Sequence, residues 1–200
     1  MKRILLCDVD GVLADFVGGV CKLLPPGTLT PSMVTCWDFI DPAPKGLLSE
    51  HHHRLVTAAC SYGSFWESLP YYDGAGNALE AIRQSDIEVV ALTSPWDSCS
   101  TWSGARTAWL KALGFTRHQV IITPRKELVR GNYFLDDKPE HVAAWMHRNT
   151  AVGRFRDERQ DNARLVTAPY NLHTECLFQE ESLPRVDGWV DVLRWLKVPA

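Results

Sequence analysis

The chain has no C-x-x-C pair, no apolar run long enough to span a bilayer, no internal repeat and no low-complexity segment. Each absence removes a class of function. Without closely paired cysteines, a zinc ribbon or a dithiol redox motif has nothing to build on. Six cysteines (Cys7, Cys21, Cys36, Cys60, Cys99 and Cys176) are scattered along 200 residues. A disulfide framework is the device of smaller secreted domains, so the thiols are read as reduced and the setting as cytoplasmic. The apolar stretch in MKRILLCDVDG is too short for a signal peptide and runs straight into acidic residues. No membrane partner is expected. Positive charge is also scarce, with 21 Lys and Arg against 24 Asp and Glu. A nucleic-acid polymer is therefore not expected as a partner, because phosphate backbones are held by clustered positive charge. A small anionic substrate needs only local positive charge and stays open. The 46% apolar and 22% charged composition is that of an ordinary globular chain, of a length for one domain with a modest insertion.

Hydrophobic patterning alternates strand and helix over much of the chain. Strands are expected at Arg3–Cys7, Ile87–Leu92, Val120–Ile122, Tyr133–Leu135 and Leu165–Ala168. Helices are expected at Ala14–Leu24, Ser49–Cys60 (with Ser49 as N-cap), Gly74–Ser85, Ser98–Leu113, Pro139–His147 and Trp189–Leu196. Between them, residues 16–72 differ in character: prolines are frequent, aromatics are interleaved and no strong strand appears. The expected architecture is α/β, a Rossmann-like parallel sheet covered on both faces. Residues 1–15 and 73–200 form the core, and 16–72 a small inserted helical cap.

In such sheets ligands bind beyond the carboxyl ends of the strands. The residues just after the expected strands are Asp8 and Asp10, then Thr93 and Ser94, then Lys126 a little further on, then Asp136 and Asp137. Asp8 can attack phosphorus and form an aspartyl-phosphate. Asp10 can protonate the leaving oxygen and then deprotonate water. Gly11 permits the tight turn that brings both near a ligand. A carboxylate attacks an anionic phosphate poorly unless charge is neutralised, and a divalent cation does this. Magnesium fits a site of oxygen ligands, and Asp136 and Asp137 supply further carboxylates. Lys126 is a point charge able to neutralise nucleophile and phosphate together, and the Thr93 and Ser94 hydroxyls can hold phosphate oxygens. Each piece has a plainer reading. The Asp8–Asp10 pair can be a strand-end turn, Thr93-Ser94-Pro95 only a turn, Lys126 a solvated lysine, and Asp136-Asp137 a helix cap. The ordered set is more specific than its parts, with Asp136 and Asp137 standing ten and eleven residues beyond Lys126.

That set resembles the haloacid dehalogenase superfamily: Asp8-Val9-Asp10-Gly11-Val12 is similar to its first motif, Thr93 to its second, Lys126 to its third and Asp136-Asp137 to its fourth. The acid two residues after the nucleophile belongs to the phosphatase branch and argues against dehalogenases and P-type ATPases. The segments DVDGVLADF at 8–16, FWESLPYYDGA at 65–75, LTSPW at 92–96 and FLDDKPEH at 134–141 resemble the 5'(3')-deoxyribonucleotidases more closely. The resemblance implies magnesium-dependent hydrolysis of deoxynucleoside 5'-monophosphates, with a pyrimidine as the expected base. It implies Phe16 against the base, Trp37 or Phe39 as aromatic walls, and metal ligation by Asp8, the Asp10 backbone carbonyl and Asp137. Asp136 is implied as a water-mediated or second ligand. Where that family often carries Arg two residues before the Lys, this chain has Pro124, with Arg125 beside it. Another small phosphomonoester such as a sugar phosphate, or a non-catalytic phosphate-binding module, remains the alternative, and assembly as a homodimer stays open.

Three other features read as structural. His51-His52-His53 cannot converge on one ion, because consecutive helical side chains diverge, so they read as a solvated face. Of the cap aromatics Trp37, Phe39, Phe65 and Trp66, most read as its core, with one or two expected to meet substrate by stacking. The mixed-sign stretch at 154–164 reads as a solvated loop.

Overall fold

The computed structural model describes residues 2–151, 162–172 and 183–199. Cys176 and most of the 154–164 stretch lie outside them. Six parallel strands form one sheet: β1 (Arg3–Cys7), β2 (Ile87–Thr93), β3 (Val120–Ile122), β4 (Tyr133–Asp136), β5 (Ala163–Val166) and β6 (Arg185–Val186), in the order β3-β2-β1-β4-β5-β6. β1 is central, paired with β2 on one side and β4 on the other. The chain moves outward from β1 through β2 to β3, then crosses to the opposite side for β4. The point between β1 and β4 where direction reverses is where a doubly wound sheet leaves a crevice at its carboxyl edge.

Strand alternation sorts the core into two layers. Leu5, Cys7, Ile87, Val89, Ala91 and Leu135 pack on one face with helices α4 (Ala75–Arg83), α5 (Trp102–Ala112) and α7 (Trp189–Leu196). Leu6, Val90, Leu92, Phe134 and Leu165 pack on the other face against Val142 and Trp145 of α6 (Pro139–Ala151). Before β2, the chain forms α1 (Phe16–Leu23), α2 (Glu50–Cys60) and α3 (Gly63–Glu67) without adding a strand to the sheet. Val17, Val20, Phe39, Val56, Phe65 and Leu69 from this segment join the same apolar cluster as the first face.

Most expected elements are present, with shifted ends. α1 begins at Phe16 rather than Ala14 because the Asp15 carboxylate caps it, accepting from the Gly18 amide at 2.8 Å. Ser49 caps α2 as expected, accepting from the His52 amide at 3.2 Å. α5 starts four residues later than read, since residues 98–101 are mostly turn; Ser and Thr there compete with helix for backbone groups. β5 lies two residues earlier, and Ala168 instead leads into a 3₁₀ turn at Pro169–Asn171. The two-residue β6 and the five-residue α3 were not anticipated, being too short to carry a period. Phe134 is fully buried and stacks on Trp145 with centroids 5.3 Å apart. Phe134→Ala is expected to cost about 3–5 kcal/mol of stability, read from the midpoint of urea unfolding.

Candidate active site

The strand register builds the site. The Asp8 amide extends the β1–β4 pairing by donating to the Leu135 carbonyl at 2.8 Å, which sets Asp8 beside the end of β4. Asp8, Asp136 and Asp137 are all buried, and one carboxylate oxygen of each lies within 4.8 Å of the others. Lys126, on the 3₁₀ turn that follows β3, is turned inward and only 2% exposed. Its ammonium lies 2.6 Å from Asp8 Oδ1 and 2.8 Å from Asp136 Oδ2. The structure thus brings Asp8, Lys126, Asp136 and Asp137 together in one buried cluster.

Gly11 seals the turn after Asp8. Its φ is +82°, and a Cβ there would lie 1.8 Å from Asp137 Oδ2. Only glycine allows both the left-handed backbone and the approach of the Asp137 carboxylate.

Among the described residues the electrostatics are lopsided, with three carboxylates and one ammonium in a buried space. Burial pushes the Asp8 carboxyl up, and Asp136 pushes further; against the pull of Lys126 the result is about 6. Asp137 is raised well above the carboxylate range by burial and then by Asp8 and Asp136. Burial also opposes ionisation of Asp136, but Lys126 and His141 outweigh it and hold that group low. Burial would lower Lys126, yet Asp136 and Asp8 raise it. Asp136 is thus the carboxylate most fully engaged by the protein: besides Lys126, its oxygens meet the Lys138 amide at 2.9 Å and His141 Nδ1 at 3.2 Å. Asp8 and Asp137 retain the uncompensated charge. A divalent cation is the group this donor set fits, since it would cancel the excess with oxygen ligands alone. Asp137 is held by residues the sequence did not single out. Tyr170 Oη donates to its Oδ2 at 2.6 Å, and Asn171 Nδ2 donates to its backbone carbonyl at 2.8 Å.

A cavity of about 190 Å³ adjoins this cluster, with Asp10, Gly11 and Asp137 at its polar end. Phe16, Trp37 and Phe39 line it, as do Trp66 and Trp96. Phe16 stacks on Trp66 with an interplanar angle of 11°. Trp37 packs on Tyr170 with centroids 4.6 Å apart and carries the Lys138 ammonium over its ring. Trp66 therefore walls the cavity rather than serving only as core. Thr93 and Ser94 stand one strand away, at the end of β2; the Thr93 side chain is buried and, among the described residues, its hydroxyl has only a long 3.5 Å contact with the Ser94 carbonyl. Arg125 is not drawn in; it is exposed and paired with Glu127. The His51 and His52 rings lie with centroids 5.5 Å apart, and His53 Nδ1 meets the Ile40 carbonyl at 2.9 Å.

The Asp10 side chain stands apart from the three-carboxylate cluster. It pairs with Arg106, whose Nη2 lies 2.6 and 2.8 Å from its two oxygens. No local spacing links residues 96 positions apart, although Trp102 and Trp109 stand four before and three after Arg106, on one helical face.

The chain is 27% identical over 154 residues to the mouse mitochondrial 5'(3')-deoxyribonucleotidase, covering 72% of this chain and 68% of that one. Its fold is similar to that of a haloacid dehalogenase-like hydrolase from Burkholderia xenovorans, with a TM-score of 0.55, 16% identity and 98% of each chain covered. The family model described as "5' nucleotidase, deoxy (Pyrimidine), cytosolic type C protein" matches residues 2–198. With nearly the whole chain matched, this protein has a haloacid dehalogenase-like fold, belongs to that 5'-nucleotidase family and is a phosphoric monoester hydrolase.

Proposed function

We propose that the chain hydrolyses deoxynucleoside 5'-monophosphates with magnesium, through a phosphoenzyme at Asp8. The observation that carries this reading is the buried Lys126 between Asp8 and Asp136, with Asp137 closing the cluster, at the polar end of an aromatic cavity. The phosphate lies at that polar end and the base between Phe16, Trp37 and Phe39. The Pyrimidine of the family description supports a pyrimidine base. Residues 16–72 act as the cap that supplies these walls and excludes bulk water. The cytosolic type of that description supports a cytoplasmic location, and no helix among the described residues is long and apolar enough to cross a membrane.

Asp8, Asp137 and the Asp10 backbone carbonyl would hold the magnesium, with Asp136 as a close second acid. The bound ion would supply charge neutralisation for an anionic nucleophile facing an anionic phosphate. In the first half-reaction an Asp8 oxygen bonds to phosphorus and the ester P–O bond breaks. Asp10 gives the departing nucleoside oxygen its proton. In the second, Asp10 takes a proton from water as that water attacks phosphorus, and the bond to Asp8 breaks to release phosphate. Lys126 stays on Asp8 through both halves, and the Thr93 and Ser94 hydroxyls hold phosphate oxygens.

Phosphate release from a panel of nucleotides and sugar phosphates, with magnesium and with chelator, tests this. Release is expected from deoxynucleoside monophosphates and not with chelator; release from sugar phosphates alone sinks the nucleotidase reading, and release from none leaves a binding module. Asp8→Asn is expected to abolish turnover, and full activity in that variant would rule out covalent catalysis there.

The raised Asp8 and Asp137 carboxyls set a pH dependence. Groups raised in the folded state bind protons that the unfolded chain has already lost, so ionising them costs stability; Asp137, held well above the usual carboxylate range, adds to this loss, and for Asp8 it accrues as pH rises to about 6. A cation competes with those protons and binds more tightly as they leave. The rise in Tm given by saturating magnesium is therefore expected to be larger at pH above that value than below it, measured by thermal unfolding. An equal rise at both would place the ion elsewhere.

A further inference from the structure

The Arg106 guanidinium is wholly buried, and nothing in the chemistry above uses it. It sits 5.3 Å from the ring centre of Trp66 on α3, and 5.5 Å from those of Trp102 and Trp109 on α5. Its Nε and Nη1 meet no hydrogen-bond partner among the described residues. Three indoles occupy the space where acceptors would stand, holding the cation by their ring faces. Its one acidic partner among the described residues is Asp10, reached by Nη2 alone.

Stability by itself does not account for this arrangement. A buried ion pair seldom adds stability over a well-packed apolar replacement, and a box of three tryptophans would pack an apolar side chain readily. What the pair does supply is position. The Asp10 side chain is 32% exposed at the edge of the cavity, and a carboxylate on a turn with no partner samples several rotamers. Arg106 has no such freedom, because the tryptophans of two helices fix its plane. Trp66 belongs to both structures: it walls the cavity beside Phe16 and covers the guanidinium.

We infer that Arg106 is the positioning residue for the proton donor: a guanidinium clamped in a tryptophan box that holds the Asp10 carboxyl facing the leaving oxygen. This inference rests on the reading of Asp10 as general acid. It names a residue that reaches the reaction only through Asp10, and it ties the aromatic wall that receives the substrate to the group that releases it.

The test compares two leaving groups in the intact protein with magnesium. A nucleoside alkoxide needs a proton to depart, whereas p-nitrophenolate leaves as a stable anion. kcat/KM reports events up to the first irreversible step, so it isolates protonation of the leaving group from the later attack of water. Asp10→Asn serves as the reference for loss of the donor. Arg106→Met is expected to lower kcat/KM on a deoxynucleoside monophosphate at least ~100-fold, within the range of general acid catalysis. On p-nitrophenyl phosphate the loss is expected to be only a few-fold. Arg106→Lys, which keeps the charge on a shorter reach, is expected to restore part of the nucleotide activity. If Arg106→Met does not fold, Arg106→Lys carries the test: its ratio of nucleotide to p-nitrophenyl activity must fall below that of the wild type. Equal losses on both substrates, or an unchanged ratio in Arg106→Lys, overturns the inference while an active wild type leaves the nucleotidase reading standing. A wild type that hydrolyses neither substrate overturns both.

Discussion

Three buried carboxylates around a single ammonium are the constraint on which the site depends. Lys126 satisfies Asp8 and Asp136 directly, and leaves Asp137 and part of Asp8 uncompensated. Such an excess of charge in a buried space is tolerable only where protons or a cation can take it up. The sheet enforces it, because parallel register places the end of β1 beside the end of β4. Gly11 then lets the turn after β1 close against Asp137 without a side chain in the way.

The supporting residues divide the labour among the acids. Asp136 is engaged by Lys126, His141 and the Lys138 amide, and so belongs to the scaffold of the site. Asp137 is oriented by Tyr170 and anchored through its carbonyl by Asn171. Asp10 is taken out of the cluster by Arg106. Carboxylates close in sequence thereby acquire different environments, which is the condition for different chemical roles. The aromatic cavity lies along the same boundary, since Tyr170 touches Trp37 and Trp66 touches both Phe16 and Arg106.

Much of this was legible before any fold was known. The alternation of strands and helices gave the parallel α/β architecture, and the rule that ligands gather at carboxyl edges brought Asp8, Lys126, Asp136 and Asp137 together on paper. Phe16, Trp37 and Phe39 were expected at the substrate on resemblance, and they do line the cavity. Short elements escaped notice because two or five residues leave no periodic trace. Which of the cap aromatics face a cleft stayed open, since an aromatic in a helix does not reveal whether its far side meets protein or open space.

The sequence by itself determined which acids, lysine and hydroxyl groups follow the strand ends and in what order, because motif spacing and hydrophobic period are local properties of the chain. Tertiary structure alone decided how those acids differ. Arg106 reaches Asp10 across 96 positions, and Tyr170 reaches Asp137 across 33. Pairings at such separation are set by how helices and turns pack on the sheet, and burial, which turns equivalent carboxylates into unequal ones, exists only once that packing is complete.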